Sequence, residues 1–140
     1  MPLSWSISHP HQLVIAVAKG RVDPQEVHRY LQALADDRAL PYRKMFDVSE
    51  MTGEWSETII RSFASAVRDR AATSRLGAIA LVAVSDTALH NAQLFAEAAT
   101  VDRPIKIFRE QHLARRWLNE LAEEQHRVSQ KVDEVRSKRT

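Results

Sequence analysis

The 140-residue chain has no cysteine, and only 6% of its residues are aromatic. Without cysteine it has no disulfides, no thiolate nucleophile and no cysteine-based zinc site. Few aromatic rings are available to stack bases, so we expect no nucleic-acid partner. No apolar run approaches the roughly 18–20 residues of a membrane-spanning helix. The initial stretch MPLSWSISHPHQ lacks the basic and then apolar pattern of a secretory signal. We therefore expect a bacterial-type cytoplasmic protein without a membrane span.

The charges are almost balanced, and the apolar content is sufficient for a core. Lys plus Arg total 20 and Asp plus Glu total 18, which gives a net charge of +2, while 44% of the residues are hydrophobic. Basic residues cluster only at the end, at Arg136, Lys138 and Arg139, and a solvated tail accounts for them. The length predicts one domain, residues 1–122, followed by a helical extension or frayed tail over 123–140.

Hydrophobic periodicity predicts an α/β fold. Leu3, Trp5 and Ile7 alternate with serines, as in a strand with one buried face. Helical stripes separate the later apolar runs, which indicates a parallel sheet with an antiparallel strand at its N-terminal edge. The predicted strands are 3–8, 13–18, which we expect to be covered on both faces, 42–48, 77–84 and 105–108. The predicted order is β-β-α-β-α-β-α-β-α, a five-stranded mostly parallel sheet with a long C-terminal helix.

Three sequence signals mark helix starts. Asp23, Pro24 and Glu26 form a capping-box pattern with proline at the first helical position. Ser56 and Asp86 each stand where a side-chain oxygen can cap the next helix. The fourth helix begins near Gln111 and is expected to turn four side chains inward: Leu113, Trp117, Leu118 and Leu121.

The fourth helix extends past the end of the predicted domain. Apolar residues there recur in steps of three and four, which is typical of a coiled-coil seam. A short run of this kind also suits a partly helical tail. Our alternative interpretation is a homodimer seam comprising Leu121, Val128, Val132 and Val135.

The chain resembles the SpoIIAA-like proteins, the group that includes STAS domains (anti-sigma-factor antagonists) and the bacterial STAS/CRAL-TRIO-like proteins. Three stretches carry the resemblance, which covers residues 3 to about 122: VAKGRVDPQEV, KMFDVSE and IKIFREQHLARRWL. The resemblance implies a (βα) superhelix with parallel strands in sequential order. In the antagonist branch, a serine at the start of the helix after the third strand is phosphorylated. Ser56 is the nearest matching position, with Trp55 in place of the preceding aspartate.

The carboxyl ends of the strands are where ligands usually bind in an open α/β sheet. We expect six candidate interaction or regulatory residues there: Asp47, Ser49, Trp55, Ser56, Asp86 and His90. Ser56, Asp86 and His90 include the residue types of a hydrolase triad. Helix capping also explains the serine and the aspartate, and no G-x-S-x-G motif is present. We therefore assign no catalytic residue.

Two non-catalytic hypotheses on function remain, beside the alternative of a hydrolase. The first is a non-catalytic regulatory or protein-interaction domain, with a homodimer and a regulatory protein as partners. The second is a small protein that binds an apolar ligand or lipid, as the CRAL-TRIO side of the resemblance implies. The alanine-rich third helix and the strand GAIALVAV predict tight packing in place of a pocket. His9 and His11 have no nearby partner in sequence, so we expect neither a metal nor a cofactor.

Overall fold

A computed structural model describes residues 2–52, 56–99 and 103–138 of the chain. These residues form a five-stranded sheet and four helices in the predicted order. The strands are β1 Leu3–Ser8, β2 Leu13–Gly20, β3 Arg43–Met51, β4 Ile79–Val82 and β5 Ile105–Phe108. The helices are α1 Pro24–Asp36, α2 Glu57–Ala71, α3 Asp86–Ala98 and α4 Gln111–Lys138. The predicted fold class is therefore confirmed.

The strands lie side by side in chain order, which fixes where the helices pack. β1 is antiparallel to β2, and the remaining neighbours are parallel. Right-handed crossovers that always advance in one direction place their helices on one face of the sheet. Phe46, Met51 and Phe95 accordingly pack against both apolar clusters of the α1–α3 side. Helix α4 follows the last strand and covers the opposite face with a separate cluster.

The two faces of β2 differ in burial, contrary to the prediction that both are covered. Val14, Ala16 and Ala18 are buried against the α1–α3 layer, whereas Leu13 and Ile15 are only half-buried. Helix α4 contacts β3, β4 and β5. The single helix on this face is too narrow to cover a five-stranded sheet, so the β2 side is left partly open.

At its carboxyl end, strand β3 extends beyond the apolar run from which it was predicted. We expected it to end at Val48, but it continues to Met51 because Glu50 and Met51 pair with Lys19 and Gly20 of β2. Ser49 therefore lies inside a strand. Such pairing depends on a partner that is distant in sequence, which local periodicity does not contain.

The N-terminal cap of α1 is as predicted, and that of α3 is not. Asp23 accepts a hydrogen bond from the Gln25 amide at 2.9 Å, and the Glu26 carboxylate accepts one from the Asp23 amide at 3.3 Å. In α3 the cap is Ser85, whose hydroxyl accepts from the Ala88 amide at 3.0 Å. Asp86 instead lies in the first turn.

Helix α4 is continuous over 28 residues, and only its first part packs on the sheet. Ala114 and Leu118 are 0% and 1% exposed, whereas Leu113, which we expected to face inward, is 37% exposed. The inward stripe therefore begins one residue later than predicted. Within the described ranges, no helix combines the length and the apolar character needed to cross a lipid bilayer.

The packing of α4 predicts unequal costs for two leucine truncations. Leu118→Ala should lower the free energy of unfolding by about 2–5 kcal/mol, because it leaves a cavity between α4 and the sheet. The matched control Leu113→Ala should cost less than about 1 kcal/mol, because that residue is already 37% exposed and its loss opens no closed cavity. Urea unfolding monitored by circular dichroism measures both values. Equal costs would contradict this docking register.

Candidate functional site

The predicted edge site is occupied by hydrogen bonds between its own residues. Asp47, which is 8% exposed, accepts from the Ser49 amide at 2.9 Å and from the Gln111 side-chain amide at 2.6 Å. The Ser49 hydroxyl lies 3.4 Å from the Val82 carbonyl oxygen, to which it donates, and 3.3 Å from the Val84 amide, from which it accepts. These bonds connect β3 to β4 and to the start of α4, so both side chains have structural partners.

The neighbouring loop is held in a similar way. Arg109 donates to the Val84 carbonyl oxygen at 2.7 Å and to the Asp86 carboxylate at 3.3 Å. The Asp86 side chain is 97% exposed, so this ion pair contributes little stability. His90 is exposed on α3. The bonds of Arg109 to Val84 and Asp86 therefore hold this part of the edge in place.

Ser56 is the N-cap of α2, as its sequence position predicts. Its hydroxyl accepts a hydrogen bond from the Ile59 amide at 3.2 Å. Trp55 lies outside the described residues. In the part of the chain that the structure describes, no hydrogen bond joins Ser56, Asp86 and His90 to one another. The geometry does not assemble the residue types of a hydrolase triad.

His9, one of the two histidines of the first turn, makes side-chain contacts with residues near the start of β3 and the end of α1. His9 Nδ1 lies 2.7 Å from the Tyr42 hydroxyl, and His9 Nε2 lies 3.3 Å from the Asp37 carboxylate. Within residues 2–52, 56–99 and 103–138, no group of three or more potential metal ligands is found.

A cavity lies inside the core, between the sheet and the layer formed by α1, α2 and α3. Its floor is formed by β2, β3 and β4, and its walls by one face of each of the three helices. The volume that the centre of a water-sized sphere can reach is about 60 Å³. One water needs roughly 10–15 Å³ on this scale, so the space accommodates several heavy atoms.

The cavity contradicts our expectation of tight packing around α3 and the strand GAIALVAV. Ile79 and Leu81 of β4 and Ala92 and Phe95 of α3 line it. The alanines of α3 would fill the space to the sheet only if the backbone of the helix came close to the sheet. Here α3 must also make room for Phe46 and Met51, so Ala92 leaves space open.

Three polar side chains interrupt the otherwise apolar lining: Tyr30 of α1, Lys44 of β3 and Arg103, which precedes β5. Tyr30 is 3% exposed and packs edge-on against Trp5 and Phe46, with ring centroids 5.4 and 5.7 Å away. Its buried hydroxyl has no hydrogen-bond partner among the residues that the structure describes. Burial raises the pKa of Tyr30 well above its ordinary range, so the phenol is neutral.

Lys44, the second of these three polar side chains, is only 2% exposed. Its ammonium donates to the carbonyl oxygens of Leu40 and Tyr42 at 2.5 and 2.8 Å. Burial and, secondarily, the charge of Arg103 lower the pKa of Lys44 from 10.5 to about 7. The group therefore changes between charged and neutral forms near neutral pH.

Arg103 brings a guanidinium to the same region. One terminal nitrogen donates to the Gly77 carbonyl oxygen at 3.4 Å, while the buried Nε has no partner within the described part of the chain. Gly77 fits there because a side-chain carbon would collide with the carbonyl oxygens of Pro41 and Tyr42. Burial lowers the pKa of Arg103 to about 10, so the guanidinium remains charged at pH 7.

The sequence analysis missed these three residues. One signal was present: Lys44 has the same strand parity as Phe46 and Val48, so alternation places a lysine on the buried face. Tyr30 looked like part of an apolar stripe, and Arg103 looked like a loop residue before Pro104. No local sequence pattern indicates that three segments far apart in the chain meet in space.

Comparison with known proteins shows no match, either to a family model or to a curated protein. The SpoIIAA-like resemblance therefore stays a prediction.

The lowered pKa of Lys44 predicts a pH-dependent contribution to stability. The unfolded chain holds the lysine proton up to about pH 10.5, whereas the folded chain releases it near pH 7. Unfolding therefore takes up a proton between these values, and the free energy of unfolding rises with pH. We expect wild type to gain stability relative to Lys44→Met between pH 7 and pH 9 in urea unfolding.

The exposed Lys19→Met variant controls for the loss of one lysine. A difference between wild type and Lys44→Met that stays constant over this pH range would contradict the assignment.

Proposed function

We propose that this protein binds a small, mainly apolar molecule in the cavity between the sheet and helices α1, α2 and α3. The observation that carries the proposal is an open, apolar space inside an otherwise densely packed core. Protein interiors are usually as dense as organic crystals, and an unfilled cavity lowers stability. A ligand would restore the missing contacts.

The composition of the walls favours an organic ligand over water. Water needs about two to four polar partners, so it suits only the part of the cavity beside Tyr30, Lys44 and Arg103. Most lining side chains here are aliphatic or aromatic, including Val27, Leu31, Phe63 and Val67. Binding sites for small molecules typically combine such walls with a few polar groups that orient the ligand. Tyr30 supplies one such group.

Ligand binding predicts a selective effect of filling the cavity. Wild type should bind 1-octanol, a slender apolar probe, with a rise in melting temperature and shifts of buried methyl NMR signals. Ala92→Leu should abolish this binding, because the added side chain occupies the ligand volume. It should leave the melting temperature of the free protein equal or higher, as cavity-filling substitutions commonly do.

Gln93→Leu is the matched control, because it adds the same side chain to an exposed position of α3. It should bind 1-octanol like wild type. Equal binding by Ala92→Leu, or no binding by wild type, would overturn the proposal. Native mass spectrometry of the purified protein adds a search for a co-purified ligand.

The hypothesis of a regulatory interaction domain stays a prediction. Its candidate surface consists of Asp47, Ser49, Trp55 and Ser56 with the start of α3. Ser56 is exposed at the N-terminus of α2, where a phosphate would meet a favourable helix dipole. Cytoplasmic location likewise stays a prediction.

We also propose that the far end of α4 pairs with a second copy of this chain. Val128, Val132 and Val135 are 57%, 43% and 51% exposed and lie along one stripe of the helix. An isolated helical segment is marginally stable in water, and helices usually persist by packing their apolar stripe. In an antiparallel pair, Glu124 of one copy would lie near Lys131 of the other, so the flanking charges are complementary.

If α4 forms the dimer, only substitutions on its apolar stripe should lower the molecular mass measured in solution. The double variant Val128→Lys and Val132→Lys should be monomeric in size-exclusion chromatography with light scattering, whereas wild type should be dimeric. His126→Lys with Gln130→Lys places two lysines on the outer face of α4 and should remain dimeric. If full-length protein and a 1–122 truncation both ran as monomers, this proposal would fail.

A further inference from the structure

We propose that the cavity selects ligands that carry a carboxylate group, bound by Tyr30, Lys44 and Arg103. This inference rests on the proposed function, because it specifies the head group of a ligand whose apolar part fills the same cavity. The reasons lie in the unused hydrogen-bond donors and in the charge of this trio.

The Tyr30 hydroxyl is the clearest sign of a missing partner. Tyr30 lines the cavity, and its hydroxyl is shielded from solvent and makes no hydrogen bond with any residue that the structure describes. Leaving a buried polar group unpaired costs about 1–3 kcal/mol, so buried hydroxyls are nearly always satisfied. A ligand oxygen in the cavity would accept from this phenol.

The two cations add unused donors of the same kind. Lys44 spends two of its hydrogen-bond donations on Leu40 and Tyr42, and an ammonium has three. Arg103 has an unpartnered Nε and a long bond to Gly77. Neither ammonium nor guanidinium can accept a hydrogen bond. The complementary ligand group is therefore one that mainly accepts.

Charge distinguishes a carboxylate from a neutral acceptor. Among the described residues, no acidic side chain forms an ion pair with Lys44 or Arg103. Buried charges are normally paired, and here burial and the neighbouring guanidinium both lower the pKa of Lys44. A carboxylate would offset that repulsion and could accept from the guanidinium in a forked geometry.

The size of the space favours a carboxylate over a larger anion. The volume open to the centre of a water-sized sphere is about 60 Å³, so the head group must be small. A planar group with two oxygens fits this limit best. It also carries a single charge, which the charged Arg103 alone can balance when Lys44 is neutral.

Three probes with the same chain test this inference on the full-length protein at pH 7: octanoate, 1-octanol and octylamine. We expect octanoate to bind about tenfold more tightly than 1-octanol or better, since hydrogen bonds to charged groups are the stronger kind. Octylamine, which is cationic, should bind most weakly. Isothermal titration calorimetry gives the three affinities.

Two variants locate the preference. Arg103→Met should remove the advantage of octanoate over 1-octanol. Tyr30→Phe should weaken octanoate several-fold, and its folding should be unimpaired because the hydroxyl makes no bond in the protein alone. Tyr42→Phe is the matched control, since that hydroxyl contacts His9 outside the cavity, and its octanoate affinity should equal that of wild type.

The outcomes separate this inference from the proposed function. If 1-octanol binds and octanoate binds no better, the cavity takes apolar ligands without a carboxylate preference, and the inference is wrong. If neither probe binds, or if Ala92→Leu still binds octanoate, both the proposed function and the inference fall. Unchanged octanoate binding by Tyr30→Phe and Arg103→Met would also overturn the assignment.

Discussion

The rule that parallel strands connect through right-handed crossovers determines most of this structure. Because the five strands advance in one direction, α1, α2 and α3 are confined to one face of the sheet. Helix α4 has no following strand and is free to cover the other face. The helical layer is therefore uneven: three helices share one face, where the largest apolar clusters lie, and one helix partly covers the other. The cavity lies on the three-helix face of the sheet.

The cavity lining contains groups that would weaken a purely structural core. Lys44 and Arg103 are removed from most of the solvent, and Tyr30 has an unpaired hydroxyl. Apolar residues of similar volume in place of such groups often preserve or raise stability. By contrast, the polar groups at the carboxyl edge bind one another, as Asp47 and Gln111 do. Among the described residues, the buried polar atoms without a partner thus belong to residues that line the cavity. The polar groups with partners lie at the carboxyl edge of the sheet, where the fold predicted a binding site.

Local patterns predicted the elements well and did not indicate the cavity. The capping box at Asp23 depends on residues within one turn, so the sequence contains all of its parts. The end of β3 depends on pairing with Lys19 and Gly20, and the inward stripe of α4 depends on docking against the sheet. The first prediction was therefore confirmed, whereas the second and third were displaced by one to three residues. Lys44 carried a usable signal in its strand parity; Tyr30 and Arg103 carried none.

The sequence by itself determined the α/β class, the order of elements, the cap of α1 and the long last helix, because these follow from periodicity and short-range hydrogen bonds. Only the tertiary structure decided that Tyr30, Lys44 and Arg103 meet at one apolar cavity. They come from a helix, a strand and a loop, and they are brought together by sheet pairing and helix packing. These contacts depend on distances in space, which residue spacing along the chain does not encode.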